Sequence, residues 1–347
     1  MTDTAVAGGR VAWRGRLGTE TLPAGTSRPA GIARAAGKAR DARRTLQLAL
    51  AGVWLIDGVL QFQPSMFSRA FGRMLAAGAA GNPAVVARPI TWNASLVEHH
   101  AAALNAVFAA MQVLLGLGIA FRPTVRPALA ASIAWAVGVW WFGEGLGGVL
   151  TGTASPVTGA PGAAIIYALL AALLWPAGGR GAAAPFPAAQ AVGARVARTL
   201  WLLLWLSFAW FALQPANRAP QALHETIAAM ANGEPGWLAA VDRNAAALLA
   251  NHGLAASIVL AAAFTLAAAG VFLPRPAARA TLVLAMIVAA VIWVTGQAFG
   301  MILAGGATDP NSGLLLILLA LAYWPARAVT PAFPSSAPEE LLGTAAR

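Results

Sequence analysis

Hydrophobic residues fall into eight long apolar segments, and most of the charged residues lie between them. The segments span 45–63, 101–121, 128–150, 161–176, 199–214, 254–273, 281–303 and 312–325. A helix needs roughly 20 apolar residues to cross the hydrocarbon core of a bilayer. Inside a bilayer the backbone polar groups must be paired within the segment, which requires helices here. The pattern therefore predicts an all-α integral membrane protein with eight transmembrane helices.

The second half of the pattern repeats the first at an offset of about 150 residues. Matching pieces include Trp54–Pro64 with Trp205–Pro215, Asn93-Ala94 with Asn244-Ala245, Gly143-Glu144 with Gly296-Gln297, and Trp175-Pro176 with Trp324-Pro325. We predict two four-helix membrane repeats, 45–176 and 199–325, joined by a cytoplasmic linker over 177–198. Four helices per repeat keep both copies in the same orientation, so the repeats are expected to be parallel.

Composition supports a membrane location and argues against nucleic acid as a partner. The chain is 59% hydrophobic and 10% charged, whereas soluble domains are about 25% charged. The net charge of +11 would suggest nucleic-acid binding in a soluble protein, but the basic residues flank the apolar segments. The lipid bilayer is thus the expected partner. There is no cysteine, which excludes disulfides and thiol chemistry.

The basic residues also predict the topology. With the N-terminus in the cytoplasm, most of the 23 Lys and Arg residues lie on the cytoplasmic side, and those on the other side are Arg69, Arg73, Arg88, Arg218 and Arg243. This asymmetry follows the positive-inside rule. We predict a plasma (inner) membrane protein with both termini cytoplasmic. Residues 1–44 would form a basic disordered tail and 326–347 a second cytoplasmic tail.

Two long segments on the predicted outer side, 64–100 and 215–253, lack membrane-length apolar runs. They nevertheless contain large aromatic residues, namely Phe67, Phe71, Trp92 and Trp237. Aromatic side chains are common where a protein meets the membrane interface. We expect short amphipathic helices that lie on or cap the outer face.

Two carboxylates lie within predicted membrane helices of the first repeat. Asp57 and Glu144 are each about six residues from the outer end of their helix, or about 9 Å at about 1.5 Å per residue. Asn105 and Tyr167 fall at nearly the same depth. Because acids are costly in a membrane and usually face the bundle interior, this layer predicts a proton, cation or ligand site open to the outside. The alternative is a purely structural hydrogen-bond network.

The second repeat does not preserve this polar layer. Phe208 takes the place of Asp57, and Gln297 takes the place of Glu144. We include Gln297, and Gln63 at the end of the first helix, among the candidate ligand- or proton-handling residues. The confinement of the acids to one repeat favours a specialised role for that half.

The fourth helix of each repeat is short and follows a glycine- and proline-rich run, Gly145–Gly162 or Gly300–Gly313. Paired short, interrupted segments in corresponding halves are typical of binding sites in transporters. The alternative is that glycines at 143, 147, 296 and 300 form small-residue seams for close helix packing. The sequence leaves both interpretations open.

Signals for a metal site or for catalysis are weak. Glu98, His99 and His100 lie at the outer end of the second helix, but neighbouring helical side chains point about 100° apart. The simpler interpretation is a set of interfacial residues. No P-loop, nucleophile elbow or Ser/His/Asp set is found, which favours a non-enzymatic role. A metal ion and a quinone are the cofactors left open.

The motif at the end of the first helix, Gly58-Val-Leu-Gln-Phe-Gln-Pro64, resembles the DoxX-like family of four-helix membrane proteins. The whole chain is similar to long, tandemly duplicated actinobacterial proteins of this kind. The resemblance implies a membrane redox accessory subunit, associated with quinone and with a membrane partner subunit.

Three functional hypotheses follow. Handling of a small solute or ion predicts a water-accessible cavity that reaches Asp57 and Glu144. A redox accessory subunit predicts a lateral, aromatic-lined cleft and a partner chain. A structural or assembly protein predicts a sealed and fully packed bundle. The one-sided polar layer favours the first hypothesis.

Overall fold

A computed structural model describes residues 30–176 and 184–326, with side chains from residue 41 onward. Its α-helices are α1 (Ala30–Leu60), α2 (Arg69–Ala77), α3 (Ala84–His99), α4 (Ala101–Ala120), α5 (Val125–Phe142), α6 (Ala163–Leu173), α7 (Ala189–Val192), α8 (Ala194–Ala212), α9 (Pro215–Arg218), α10 (Ala222–Met230), α11 (Gly236–Leu249), α12 (Gly253–Gly270), α13 (Arg275–Thr295) and α14 (Asn311–Ala322). The described residues contain no β-strand, which confirms the predicted all-α class.

Four helical stretches are long and apolar enough to cross a membrane: α4, Arg122–Phe142, α12 and α13. The helices α6 and α14 are apolar but shorter. These properties are compatible with a membrane location. Of the predicted N-terminal tail, residues 30–44 form the start of α1, and the rest lies outside the described residues. The first part of the predicted linker and nearly all of the predicted C-terminal tail also lie outside them.

Two helices end earlier than the apolar pattern predicts. The third predicted span reaches residue 150, but α5 ends at Phe142 because the backbone at 145–148 adopts positive φ angles. The seventh predicted span reaches residue 303, but α13 ends at Thr295, and positive φ angles follow at 298–301. A run of left-handed residues cannot continue a right-handed helix. Each break leaves a loop before the next short helix.

The helices pack in two groups that share one core. In the first group α1 packs against α4, α4 against α5 and α5 against α6; in the second α8 packs against α12, α12 against α13 and α13 against α14. The helix α14 also contacts α6 and α1. One continuous hydrophobic cluster therefore extends through both groups, from Leu50 and Ile166 to Trp205 and Tyr323.

Polar side chains on α1 form hydrogen bonds with the C-terminal ends of α4 and α6. The Arg44 guanidinium donates hydrogen bonds to the carbonyls of Ile119 and Ala120 at the end of α4. The Gln47 amide donates to the Leu174 carbonyl at the end of α6, at 2.8 Å. Carbonyls in the last turn of a helix lack partners within the helix, and a cation there is favourable. These bonds hold α1 in register with α4 and α6.

The segments between the long helices, 64–100 and 215–253, form the short helices α2 and α3, and α9 to α11. Asp242 on α11 is fully buried, and neither of its carboxylate oxygens has a hydrogen-bond partner. Burial raises the pKa of Asp242 to about 6, although the charge of Arg243 opposes the change. Burial and the charge of Asp242 also raise the pKa of Glu234.

We predict that Asp242 makes the folded protein less stable as the pH rises. The carboxyl group of Asp242 binds a proton more tightly in the folded state than in the unfolded chain. The stabilisation from this bound proton is therefore fully present below the pKa of the unfolded chain, and it is lost as the pH rises through the folded-state pKa of about 6. The thermal midpoint of the detergent-solubilised protein should fall less between about pH 4 and about pH 7 in D242N than in wild type. The control variant is E98Q, which removes an acid on α3 that forms an ion pair with Arg73. An equal fall in D242N and wild type would contradict the prediction.

Candidate functional site

Glu144 lies in the turn after α5 and caps the N-terminus of α6. Its Oε1 accepts a hydrogen bond from the Ala164 backbone N–H at 3.0 Å. Gly162 precedes α6 with a φ of 111°, and a Cβ at this position would lie 2.2 Å from Oε2 of Glu144. The glycine therefore makes room for the carboxylate. A carboxylate at a helix N-terminus is favourable because it accepts a hydrogen bond from a backbone N–H that has no partner within the helix. Its negative charge also interacts favourably with the positive end of the helix dipole. Oε2 has no hydrogen-bond partner.

Asp57 faces the interior from α1 and is 1% exposed. Its Oδ2 accepts a hydrogen bond from the Tyr167 hydroxyl on α6 at 2.6 Å, whereas its Oδ1 has no partner. The Tyr167 ring packs on Trp54, with ring centroids 4.4 Å apart, and Trp54 donates to Ser132 on α5 at 3.0 Å. Side chains from α1, α5 and α6 thus fix the orientation of Asp57.

A third carboxylate, Asp309, reaches the same place from the loop between α13 and α14. Its own oxygens accept hydrogen bonds from the Thr308 hydroxyl at 2.9 Å and from the Asn311 N–H at 2.8 Å. Asp309 interacts electrostatically with both Asp57 and Glu144. The two groups of helices therefore contribute to one acidic cluster.

The loop that carries Asp309 is tethered to the end of α1. The Gln63 amide donates to the Ala307 carbonyl at 3.0 Å, and the Ser65 hydroxyl donates to the Gly305 carbonyl at 3.2 Å. Gln63 is thus a tether of the loop, and it does not line the cavity.

The loop between α5 and α6 makes the reciprocal contact with the second group of helices. The Asn217 amide donates to the Ala154 carbonyl at 2.8 Å. Val157 packs with Leu223, Ile227 and Ala246 in a separate apolar cluster. Each group of helices therefore receives a loop from the other.

Asp57, Glu144 and Asp309 line a cavity of about 380 Å³ with largely aromatic walls. The aromatic lining consists of Trp54, Phe71, Trp92, Phe108, Trp135, Phe142 and Tyr167, and the polar lining includes Gln61, Gln112 and Thr308. No Lys, Arg or His occurs among the described residues that line it. The cavity thus combines apolar walls with a cluster of acids.

Glu144 and Asp309 also line a second cavity, of about 440 Å³. Its lining is more polar and includes Asn82, Ser155 and Asn311. Two carboxylates therefore lie where an aromatic cavity and a polar cavity adjoin. This position allows them to contact a molecule in either space.

The structure brings together three of the six predicted ligand residues, namely Asp57, Glu144 and Tyr167. Asn105 is buried but does not line the cavity, and its amide donates to the carbonyl of the lining residue Gln61 at 2.7 Å. Gln297 caps α14 as Glu144 caps α6: its Oε1 accepts from the Gly313 N–H at 3.1 Å, and its amide donates to the Ser312 hydroxyl at 2.8 Å. The cap in the second group is therefore neutral and fully paired.

The weak metal candidates lie outside both cavities. Glu98 is 3.9 Å from the Arg73 guanidinium, and a ring nitrogen of His99 lies 2.7 Å from the Ser95 carbonyl. His100 stands between α3 and α4. Within 30–176 and 184–326, no three His, Cys, Asp or Glu side chains are arranged to hold a metal ion.

The sequence interpretation missed Asp309, Gln112 and Trp135 as parts of the site. The sequence did contain a signal for Asp309, because this residue lies in the glycine- and proline-rich run Gly300–Gly313, which is one of the two candidate binding segments. The glycines of these runs allow close approach of the loop backbone: a Cβ at Gly147 would lie 2.0 Å from the Pro161 carbonyl oxygen, and one at Gly300 would lie 2.6 Å from that of Asp309. This favours the interrupted-segment interpretation over a helix-packing seam.

Comparisons with protein families, with curated proteins and with solved structures each find no match to this chain. The resemblance to DoxX-like proteins stays a prediction. The functional argument therefore depends on the geometry of the cavities and of the three carboxylates.

We expect Glu144→Ala to destabilise the protein by about 1 kcal/mol, the usual effect of losing a helix cap. Glu144→Gln should cost less, because its amide oxygen can still accept from the Ala164 N–H, as Gln297 does at α14. Unfolding midpoints of the two variants in detergent would measure the difference. If both variants are destabilised equally, the cap is not what Glu144 contributes to stability.

Proposed function

We propose that the protein is a multi-pass membrane protein that binds and moves a small solute through the acid-lined cavity. The observation that supports this most directly is a cavity of about 380 Å³ that reaches Asp57, Glu144 and Asp309. Small-ligand sites usually have volumes of roughly 300–1,000 Å³ and a few polar groups in apolar walls. A purely structural bundle would not need an open space beside three acids.

The proposed architecture is a duplicated bundle of eight membrane helices in the plasma membrane, with both termini cytoplasmic. Matched hydrogen bonds support the duplication. The Trp140 indole donates to the Pro161 carbonyl at 2.6 Å, and the Trp293 indole donates to the Pro310 carbonyl at 2.6 Å. The caps made by Glu144 and Gln297 form a second matched pair.

We propose one solute site per chain, in the first half. Phe208 occupies the position that corresponds to Asp57 and packs against Trp205 and Phe264, with centroids 5.5 Å apart in both pairs. Val157, from the loop between α5 and α6, packs into an apolar cluster of the second half. The second half therefore has an apolar core, and it supports the site through the Asp309 loop.

The adjoining cavities support movement of the solute as well as binding. Glu144 and Asp309 line both spaces, so a molecule can keep a carboxylate contact while it passes from the polar cavity to the aromatic one. Transporters commonly combine such sites with short, interrupted helices near the binding position. The short helices α6 and α14 begin beside these two acids.

A second candidate function is a quinone-associated subunit of a membrane redox complex. The aromatic wall favours it, since Phe71, Phe108 and Trp135 form successive edge-to-face contacts with centroids 6.1 and 5.6 Å apart. This candidate implies that a quinone and a partner chain co-purify with the protein.

Water access to the cavity tests the proposed function. Gly138 lines the cavity, and a Cβ there would meet no atom within 4 Å. Because the chain has no cysteine, G138C introduces a single thiol. We expect a membrane-impermeant thiol reagent to modify G138C in vesicles, since only hydrated thiols ionise and react readily.

Two further glycines with open space provide the controls for this experiment. G236C, on the exposed start of α11, should react fully, and G52C, within α1, should react slowly. If G138C reacts no faster than G52C, the cavity is sealed and the structural alternative is favoured.

A further inference from the structure

Side-chain polar atoms without partners around the aromatic cavity are mostly hydrogen-bond acceptors. They include Oδ1 of Asp57, Oε2 of Glu144 and the amide oxygens of Gln61 and Gln112, whereas the indole N–H of Trp135 is a donor. Buried polar groups in proteins are nearly always paired with protein, water or ligand. A molecule that pairs these oxygens must supply N–H or O–H donors.

The charge of the lining favours a cation. Asp57, Glu144 and Asp309 are acids, and the described lining residues include no Lys, Arg or His to neutralise them. A buried carboxyl group without a partner either takes up a proton or pairs with a positive charge, so a bound cation stabilises the ionised form. An anionic ligand would meet three acids and no basic side chain among the described lining residues.

The walls determine which kind of cation fits. The aromatic side chains of Trp54, Phe71, Phe108 and Trp135 line the space, and aromatic rings attract organic cations through their quadrupoles. Among the described residues no three acidic or histidine side chains are arranged to hold a metal ion, so a small inorganic ion would not regain the ligands of its hydration shell. An organic cation instead places its apolar body against these rings.

We propose that the cavity binds a monovalent organic ammonium ion with an aryl or alkyl body. The ammonium group donates hydrogen bonds to the free oxygens of Asp57 and Glu144, and the body packs against the aromatic wall. Asp309 adds negative charge from the other half of the chain, so the site is incomplete without the loop that Gln63 tethers. This inference rests on the proposed solute site and specifies its ligand class.

Calorimetric titration of the purified full-length protein in nanodiscs tests this proposal. The probe is 2-phenylethylamine, and the controls are neutral 2-phenylethanol, anionic phenylacetate and the quinone menadione. We expect the amine to bind about tenfold or more tightly than the alcohol, which is the effect of one charge-assisted hydrogen bond. Phenylacetate should not bind.

Variants assign the binding to the acids. E144Q and D57N should each weaken amine binding about tenfold or more, whereas E98Q, which alters an acid outside the cavity, should bind as wild type does. E144Q keeps the helix cap, so its effect reports on charge. Bound amine should also slow the modification of G138C by the thiol reagent.

Several results would overturn the proposal. One is equal binding of the amine and the alcohol; another is unchanged amine binding in both E144Q and D57N. Menadione binding without amine binding would assign the cavity to a quinone. If G138C is modified but no amine binds, the ligand class is wrong while the solute site stands. If G138C is not modified, the proposed function fails as well.

Discussion

The hydrogen bond from the Ala164 N–H to Glu144 is the contact on which the geometry of the site depends. It joins the turn that follows α5 to the start of α6, and it holds a carboxylate at the edge of two cavities. Gly162 must lack a side chain for this contact to form. The remaining oxygen of Glu144 is left without a partner, so one residue serves both the fold and the chemistry of the cavity.

The reciprocal loops give the two halves different roles. One loop brings Asp309 to a cavity that already contains two acids, and the other brings Val157 to an apolar cluster. Similar backbone arrangements thus support a charged space in one half and a packed core in the other. The difference comes from a few side chains, since Phe208 and Gln297 stand where the first half has Asp57 and Glu144.

Three acids around one apolar space are unfavourable for the empty fold, because each ionised carboxylate lacks solvation and they repel one another. Hydrogen bonds from Tyr167, Ala164 and Thr308 offset part of this cost. Functional sites commonly retain such unfavourable groups where a ligand or a proton supplies the missing partner. The proposed ammonium ligand satisfies this requirement with charge, donors and an apolar body.

The helical class could be predicted from the sequence, because apolar runs of this length have no other stable backbone form in a bilayer. The sequence also identified Asp57, Glu144 and Tyr167, since ionisable and polar residues stand out against an apolar background. The helix end at Thr295 was less predictable, because Ala298, Phe299 and Met301 adopt positive φ angles without a sequence signal typical of them. The folded arrangement of the helices was needed to learn that Asp309 joins the site, that Gln63 tethers its loop and that Asn105 does not line the cavity. The first two outcomes depend on contacts between the two groups of helices, such as that of Gln63 with Ala307, which no local pattern encodes.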